Sequence, residues 1–374
     1  MKILFAGGGT GGHFYPIIAV AESVNAIAVH ERLDVKLYYM SDSPIDIDLL
    51  NKLHITYIEV KTGKRRTYFS FQNFLDIFKT IWGCVHATWK VFLLYPDVVF
   101  GKGGYASFPA MFAARLLHIP VVIHESDITP GRVNRWIANY ATNIAISYPE
   151  AINHFVHKDR IAQTGQPIRR NLYEMPDGDP VSMFALEENI PVILVLGGSQ
   201  GSERINENIV DILPRLLEKY QVIHQTGDAN YEWMRKRAAG ALGNTPLVSR
   251  YKPVGFLSAK QLRLAAKAAT LIISRAGSTI FEIALWGVPS IIIPLQISRE
   301  DHQRENAYSY ARSGAATVIE EHNLKPALFF SVIDTILSDQ ARREKMAVGA
   351  KTFARADAAD KIAQLLLSIS SHHD

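Results

Sequence analysis

Cys84 is the only cysteine in the 374-residue chain. No internal disulfide can form, so stability must come from the core, and a reducing compartment fits. Long apolar runs are missing too. No window holds the roughly 18 uninterrupted apolar residues of a bilayer-spanning helix. The opening MKILFAGGGTGGH enters a strand and a glycine loop without the basic region, apolar stretch and cleavage site of a secretory signal. The expectation is a cytoplasmic protein whose membrane contact is peripheral. Nor does one sign of charge dominate: 40 Lys and Arg stand against 36 Asp and Glu, a net charge of +4. The basic residues are scattered and accompany no RNA- or DNA-binding motif, so nucleic acid is not expected as a partner.

What is present is ample core. Hydrophobic residues make up 48% of the chain and charged ones 20%, a soluble globular balance, and the length calls for two domains of similar size. Apolar runs rich in Val and Ile alternate with longer helical patterns, as in parallel sheets covered by helices on both faces. Strands are predicted at Lys2–Ala6, Lys36–Met40, Val98–Phe100, Val121–His124 and Asn143–Ile146. A second set is predicted at Val192–Leu196, Gln221–Gln225, Leu271–Ser274, Ser290–Pro294 and Ala316–Ile319. The fold class is α/β, with two Rossmann-like doubly wound domains facing a central cleft. The expected domains are 1–165 and 166–349, with a terminal helical segment, about 350–374, packing back on the first.

Each half opens on the same plan: an apolar strand, a glycine loop, then a helix. In the first half Gly7, Gly8, Gly9, Thr10, Gly11 and Gly12 lead to His13. Glycines let a ligand approach the backbone, and the helix start offers N–H groups to an anion. The positive end of that helix keeps a His13 imidazole neutral and able to accept a proton. In the second half Gly197-Gly198-Ser199-Gln200-Gly201 forms a loop of the same kind, with the Ser199 hydroxyl as a donor. After a later strand, Gly277 permits a turn, Ser278 and Thr279 are placed to cap a helix, and Glu282 lies one turn in, where its carboxylate can accept both hydroxyls of a ribose. Asp301, Gln303 and Asn306 are hydroxyl-binding types suited to a sugar. Gly101-Lys102-Gly103-Gly104-Tyr105 and His124-Glu125-Ser126-Asp127 leave strands of the first half, and Glu125 and Asp127 rival His13 as general base.

The segments GGGTGGHFYP, GKGGYASFPA, IHESDITPG, GQPIR, LVLGGSQGS, HQTG, SRAGSTIFEIALWGVPSIIIPL and DHQRENA follow one another in the order of a known family. Along essentially its whole length the chain resembles the MurG family, the UDP-N-acetylglucosamine:lipid-linked muramyl-pentapeptide N-acetylglucosaminyltransferases of peptidoglycan synthesis. The resemblance implies the GT-B fold, inversion at the anomeric carbon, and no cofactor or active-site metal. It implies UDP-GlcNAc as donor and an undecaprenyl-pyrophosphoryl muramyl-pentapeptide as acceptor. It places Thr10, Gly11 and Gly12 near the donor, His13 by the acceptor hydroxyl, Arg169 and Ser199 toward the diphosphate and sugar, the Leu257 backbone on the uracil edge, Glu282 on the ribose and Gln303 on the GlcNAc hydroxyls. Asp127 stands where many members have an Asn that contacts the sugars; an Asp accepts but cannot donate.

Between Lys61 and Leu94 the triplet Lys64, Arg65 and Arg66 precedes Phe74, Phe78 and Trp82 at helical spacing. Basic residues beside an aromatic amphipathic helix suit an anionic membrane surface. Expected partners are thus that surface, at the cytoplasmic face of the plasma membrane, and other cell-wall enzymes. The rival readings are a UDP-sugar:diacylglycerol glycosyltransferase and, because Gly7, Gly9 and Gly12 formally match the dinucleotide fingerprint, an NAD-dependent oxidoreductase.

Overall fold

The computed structural model describes residues 1–63, 71–174, 177–198, 201–296 and 301–371, and the side chains of these except residues 71–75. It divides into two compact units, Met1–Arg169 with Arg355–Asp374, and Arg170–Ala354. These boundaries lie a few residues beyond the expected 165/166 and 349/350. The first moves because Gln166 accepts hydrogen bonds from Ser126 (2.8 Å) and Ser147 (3.1 Å), and the Arg169 guanidinium lies 4.5 Å from the centre of the Tyr15 ring. The second moves because Phe353 packs on Phe281 and Tyr310 of the second unit.

The first unit holds strands β1 (Lys2–Ala6), β2 (Lys36–Ser41), β3 (Ile55–Glu59), β4 (Val98–Gly101), β5 (Val121–Glu125), β6 (Asn143–Ile146) and β7 (Ile161–Gln163). They form one parallel sheet in the order β3-β2-β1-β4-β5-β6-β7. The second unit holds β8 (Val192–Leu196), β9 (Gln221–Gln225), β10 (Tyr251–Val254), β11 (Ala269–Ser274), β12 (Ser290–Ile292) and β13 (Ala316–Val318), ordered β10-β9-β8-β11-β12-β13. The two sheets share one plan. In each, strand order reverses beside the first strand, at β1/β4 and at β8/β11, and in open α/β sheets the crevice at that point, outside the carboxyl ends of the strands, is where ligands bind.

The apolar runs announce every central strand but not β3, β7 or β10. All of these are sheet edges. An edge strand is covered less completely, and its residues alternate or turn to solvent: β7 is exposed at Ala162 and Gln163. β10 carries Pro253, which an edge tolerates and a central strand does not.

The helix Gly11–Glu31 is long and apolar enough, by length and composition, to cross a membrane, although Glu22, Ser23 and Asn25 interrupt its apolar residues. Its Phe14, Ile17, Ile18, Val20 and Ala21 are instead buried with Ile3 and Phe5 of β1, so it is a core helix. The terminal helix Ala358–Ser371 seals the same layer with Ile362, Ala363, Leu366 and Leu367. Full burial of each large aliphatic contributes about 1.5–3 kcal/mol, and this keeps the first glycine loop on a rigid base.

Candidate active site

In the first unit the loops leaving β1, β4 and β5 bring His13, Lys102, Glu125 and Asp127 together. His13 lies on the first turn of Gly11–Glu31, whose N-cap, Thr10, makes no side-chain cap bond. The Thr10 hydroxyl instead meets His13 Nδ1 at 2.9 Å. Gly104, in the loop after β4, has φ +78, and a Cβ there would lie 3.2 Å from His13 Cε1. Only glycine lets that loop pass the ring so closely. His13 is half-buried. Burial, then the Lys102 ammonium, lower its pKa to about 4, while Asp127 and a hydrogen bond with the Gly8 backbone act the other way. The ring is therefore neutral near pH 7, as the helix start alone suggests.

Lys102 is only 2% exposed. Its ammonium donates to Ser126 Oγ, which in turn donates to Gln166 Oε1 at 2.8 Å. Burial lowers its pKa to about 8, against the pull of Glu125 and Asp127. Sequence reading quoted this lysine inside its glycine loop and gave it no role.

Glu125 ends β5 and is buried. Its Oε1 accepts from Ser126 N (2.8 Å) and Asp127 N (3.1 Å), and its Oε2 from Gly131 N (3.1 Å) and Asn134 Nδ2 (2.9 Å). Burial and the Asp127 charge push its carboxyl up, whereas Lys102 and Asn134 pull it down. Every one of those partners is a donor, so both oxygens serve as acceptors that shape the 125–131 turn. This geometry makes Glu125 a clamp of that turn. Asn134, which sequence reading missed, also donates to His124 O at 3.0 Å. Asp127 is half-buried, and its charge acts on both His13 and Lys102.

The dinucleotide reading fails on the same loops. Asp42, after β2, accepts from Tyr105 Oη at 2.9 Å, and the Tyr105 ring lies over Gly9, where a Cβ would be 2.7 Å from it. Tyr105 thus packs against the middle glycine of the Gly7, Gly9, Gly12 pattern.

In the second unit the loop after β8 runs through Gly197 and Gly198; Ser199 lies outside the described residues. Gly201 resumes it at φ +75, where a Cβ would sit 2.0 Å from the Thr226 carbonyl oxygen. Ser202 caps Glu203–Lys219 through Ile205 N. Arg275, leaving β11, joins the surrounding loops: it donates to Ser202 Oγ (2.6 Å), Glu321 Oε1 (2.5 Å) and Ile293 O (3.3 Å). Gln225, another residue sequence reading missed, donates to Gly198 O (3.3 Å) and accepts from Leu257 N (3.1 Å). That bond occupies the Leu257 N–H, so of its backbone only the carbonyl is left for a uracil edge. Ser278 stands at the N-cap of Thr279–Trp286 in a helical conformation and makes no side-chain cap bond, contrary to the capping expected of it. Glu282 is in the first turn, as anticipated. Gln303 Oε1 accepts from Leu295 N at 3.0 Å, and Asn306 Nδ2 donates to Ala276 O at 3.4 Å. The sugar-type residues of Gln303–Asn306 are thereby tied to the loops after β11 and β12.

Of the membrane residues, Lys64, Arg65 and Arg66 and the side chain of Phe74 lie outside the described set. Phe78 and Trp82 are not core: they are 57% and 70% exposed. Ile77, Ile81, Val85 and Trp89 share that exposed face of the helix Phe71–Leu94. A groove of about 700 Å³ runs between this helix and Phe108–Leu116, lined by Ile81, Val85, Trp89, Phe108 and Phe112 among others. Among the described residues no group of His, Cys, Asp and Glu is arranged to hold a metal ion.

The glycosyltransferase family 28 N-terminal domain matches residues 3–146, and the family 28 C-terminal domain matches residues 192–362. The UDP-N-acetylglucosamine–N-acetylmuramyl-(pentapeptide) pyrophosphoryl-undecaprenol N-acetylglucosamine transferase of Treponema denticola is 32% identical over 98% of this chain and 97% of its own. The chain belongs to glycosyltransferase family 28. The transferase of the same name from Limosilactobacillus reuteri is also 32% identical, over 100% of both chains. Among solved structures, Acinetobacter baumannii MurG superposes with a TM-score of 0.73 at 26% identity, covering 98% of this chain and 99% of that one. Membership in this transferase family and the GT-B fold are therefore shown. A UDP-GlcNAc 2-epimerase from Neisseria meningitidis, bound to UDP-GlcNAc, also superposes at TM-score 0.70, with 98% and 100% coverage but only 15% identity. That likeness concerns the fold alone, and the same scaffold carries different chemistries.

Proposed function

We propose that this chain transfers GlcNAc from UDP-GlcNAc to the 4-hydroxyl of the muramyl sugar in undecaprenyl-pyrophosphoryl-MurNAc-pentapeptide, with inversion, and that His13 removes the acceptor proton. The observation that carries the assignment is the neutral imidazole on the first turn of Gly11–Glu31, beside two glycine loops. In this reading the second unit binds the donor. Glu282 takes the ribose, Gln303 the hexosamine hydroxyls, and the helix start at Gly277–Thr279 faces the diphosphate. Ser199 is assigned to the same anion, and the Leu257 carbonyl to the base. Preorganised N–H groups stabilise the leaving diphosphate, and no metal is invoked.

The acceptor belongs to the first unit. Gly11 and Gly12 present N–H groups at a helix start that has no acidic residue in its first turn, and the Arg169 Nε has no hydrogen-bond partner among the described residues. These suit the acceptor pyrophosphate, rather than the donor side that the resemblance implied for them. Anionic charge arriving there raises the His13 pKa from its low resting value, so base strength rises as substrate binds. Asp127 reinforces it. The deciding experiment supplies lipid-linked muramyl-pentapeptide and, separately, diacylglycerol with several UDP-sugars. UDP-GlcNAc consumed only with the muramyl acceptor is expected. Glycosylation of diacylglycerol, or epimerisation of UDP-GlcNAc without acceptor, would overturn the reading.

The acceptor's lipid implies work at a membrane, and the exposed Phe78–Trp82 face is assigned to it, with Lys64, Arg65 and Arg66 meeting anionic headgroups at the cytoplasmic side. Reburial of one large side chain contributes about 1.5–3 kcal/mol. Phe78→Glu with Trp82→Glu should therefore weaken binding to phosphatidylglycerol vesicles at least about tenfold, with Tm unchanged because both side chains are exposed. Vesicle sedimentation at wild-type level would place the membrane face elsewhere. Other cell-wall enzymes are natural further partners at that surface.

A further inference from the structure

We propose that Lys102 is a positioning residue of the transfer reaction: its buried ammonium, bonded to Ser126, is the counter-ion of the Glu125–Asp127 pair and fixes the turn that carries Asp127 beside His13. The inference deepens the reading of His13 as base and rests on it. Lys102 follows β4 at the point where strand order reverses, and its backbone N–H donates to Ala6 O of β1 at 3.0 Å. The side chain is thus rooted between the strands that deliver both glycine loops. A lysine this deeply buried costs several kcal/mol unless its charge is matched, and here Ser126 accepts its hydrogen bond while Glu125 and Asp127 supply the countercharge.

The groups facing His13 are Lys102, the Asp127 carboxylate, the Thr10 hydroxyl and the Gly8 backbone. Lys102 is the cation among them. His124, on β5, is also near Lys102 and is likewise held neutral by burial and by this charge. Without Lys102, Asp127 acts on His13 with no opposing cation, and Ser126 loses the donor that holds the turn between Glu125 and Asp127. Ser126, Gln166 and Ser147 continue the network to His124, so the lysine also fixes the turn that carries Asp127.

The test is a nuclear magnetic resonance titration of the His13 ring, assigned by its loss in His13→Ala, together with the pH profile of kcat/KM on UDP-GlcNAc and the lipid-linked acceptor. Lys102→Met keeps the length and removes the charge. It should raise the His13 titration by about one unit, narrow the active range from the acid side, and lower kcat more than the donor KM. Lys102→Arg should restore the wild-type His13 titration. Because arginine stays charged, it should also abolish the alkaline fall in kcat/KM that loss of the Lys102 proton above about 8 produces. An unmoved His13 titration in folded Lys102→Met overturns the proposal, as does an alkaline fall that persists in Lys102→Arg, an arm that stands even where the methionine variant does not fold. Failure of the base reading would show separately, as normal turnover in His13→Ala.

Discussion

His13→Ala is expected to lower kcat about 10²–10⁴-fold, the usual contribution of a positioned general base, and to leave UDP-GlcNAc affinity within about twofold. The split follows from where the groups lie. His13 belongs to the first unit, while the residues assigned to the nucleotide and hexosamine, Leu257, Glu282 and Gln303, belong to the second. The Thr10 hydroxyl meets Nδ1 at 2.9 Å; in the tautomer with the hydrogen on Nδ1, Nε2 keeps the lone pair that takes the acceptor proton. Thr10→Val should then cost much less than His13→Ala, because it loosens the ring without removing the base. Steady-state kinetics with saturating acceptor, and calorimetric titration of UDP-GlcNAc, measure the two quantities. Turnover within tenfold of wild type would remove His13 from the chemistry and pass the role to Asp127, whose carboxylate acts on the same ring. Glu125 is the weaker successor, since N–H donors from its own turn and Asn134 occupy both its oxygens.

That ranking of the bases was not legible in the sequence, and the reason is physical. The spacing of glycines and the pattern of buried strands reveal which loops reach the carboxyl ends of a parallel sheet, because both features follow from local geometry and burial. They place Thr10–His13, Gly197, Gly198, Gly201, Gly277–Glu282 and Gln303 on loops and helix starts, as the structure has them. What a carboxylate does depends on which groups surround it in space. Glu125 looks like a rival base until Gly131 and Asn134 are seen to close on it, and Lys102 looks like loop filler until its neighbours are counted. The same holds for Leu257, whose N–H is claimed by Gln225 from another strand. Membrane residues show the opposite limit: helical spacing fits a core face and an exposed face equally well, and only burial separates Trp82 from Ala87 and Val91 on the same helix. The edge strands β3, β7 and β10 escape for the converse reason, since they lack the complete burial that makes a strand visible as an apolar run.

Acidification should destabilise both units through histidines held neutral, His124 with His13 in the first and His224 in the second. His124 in the first and His224 in the second are fully buried. His124 Nε2 lies 2.9 Å from the Gly165 carbonyl, an acceptor only, so Nε2 carries the hydrogen; Nδ1 is left without a hydrogen-bond partner among the described residues. His224 Nε2 lies 3.0 Å from Asn206 Oδ1, and its Nδ1 lies 3.0 Å from Tyr251 Oη. Burial, joined at His124 by the Lys102 charge, holds His124 well below the usual 6.5 and lowers His224 to about 3. The unfolded chain therefore binds protons below about 6.5 that the folded chain refuses, and stability falls as pH drops from that point. At pH 5 the difference is about 1.5 pH units for each ring, or about 2 kcal/mol per unit of structure, which lowers each Tm by about 4–8 °C. Glu125 works in the opposite direction, because its carboxyl is pushed up in the fold and its proton uptake offsets part of the loss in the first unit. His13, lowered to about 4, adds to the loss in the first unit, whereas His224 carries the acid dependence of the second. His224→Gln, compared with wild type by calorimetry between pH 7.5 and 5, should flatten it. A Tm that stays level across that range in the wild type would mean that these rings are not held neutral, and with them would go the claim that burial beside Lys102 keeps His13 a free base.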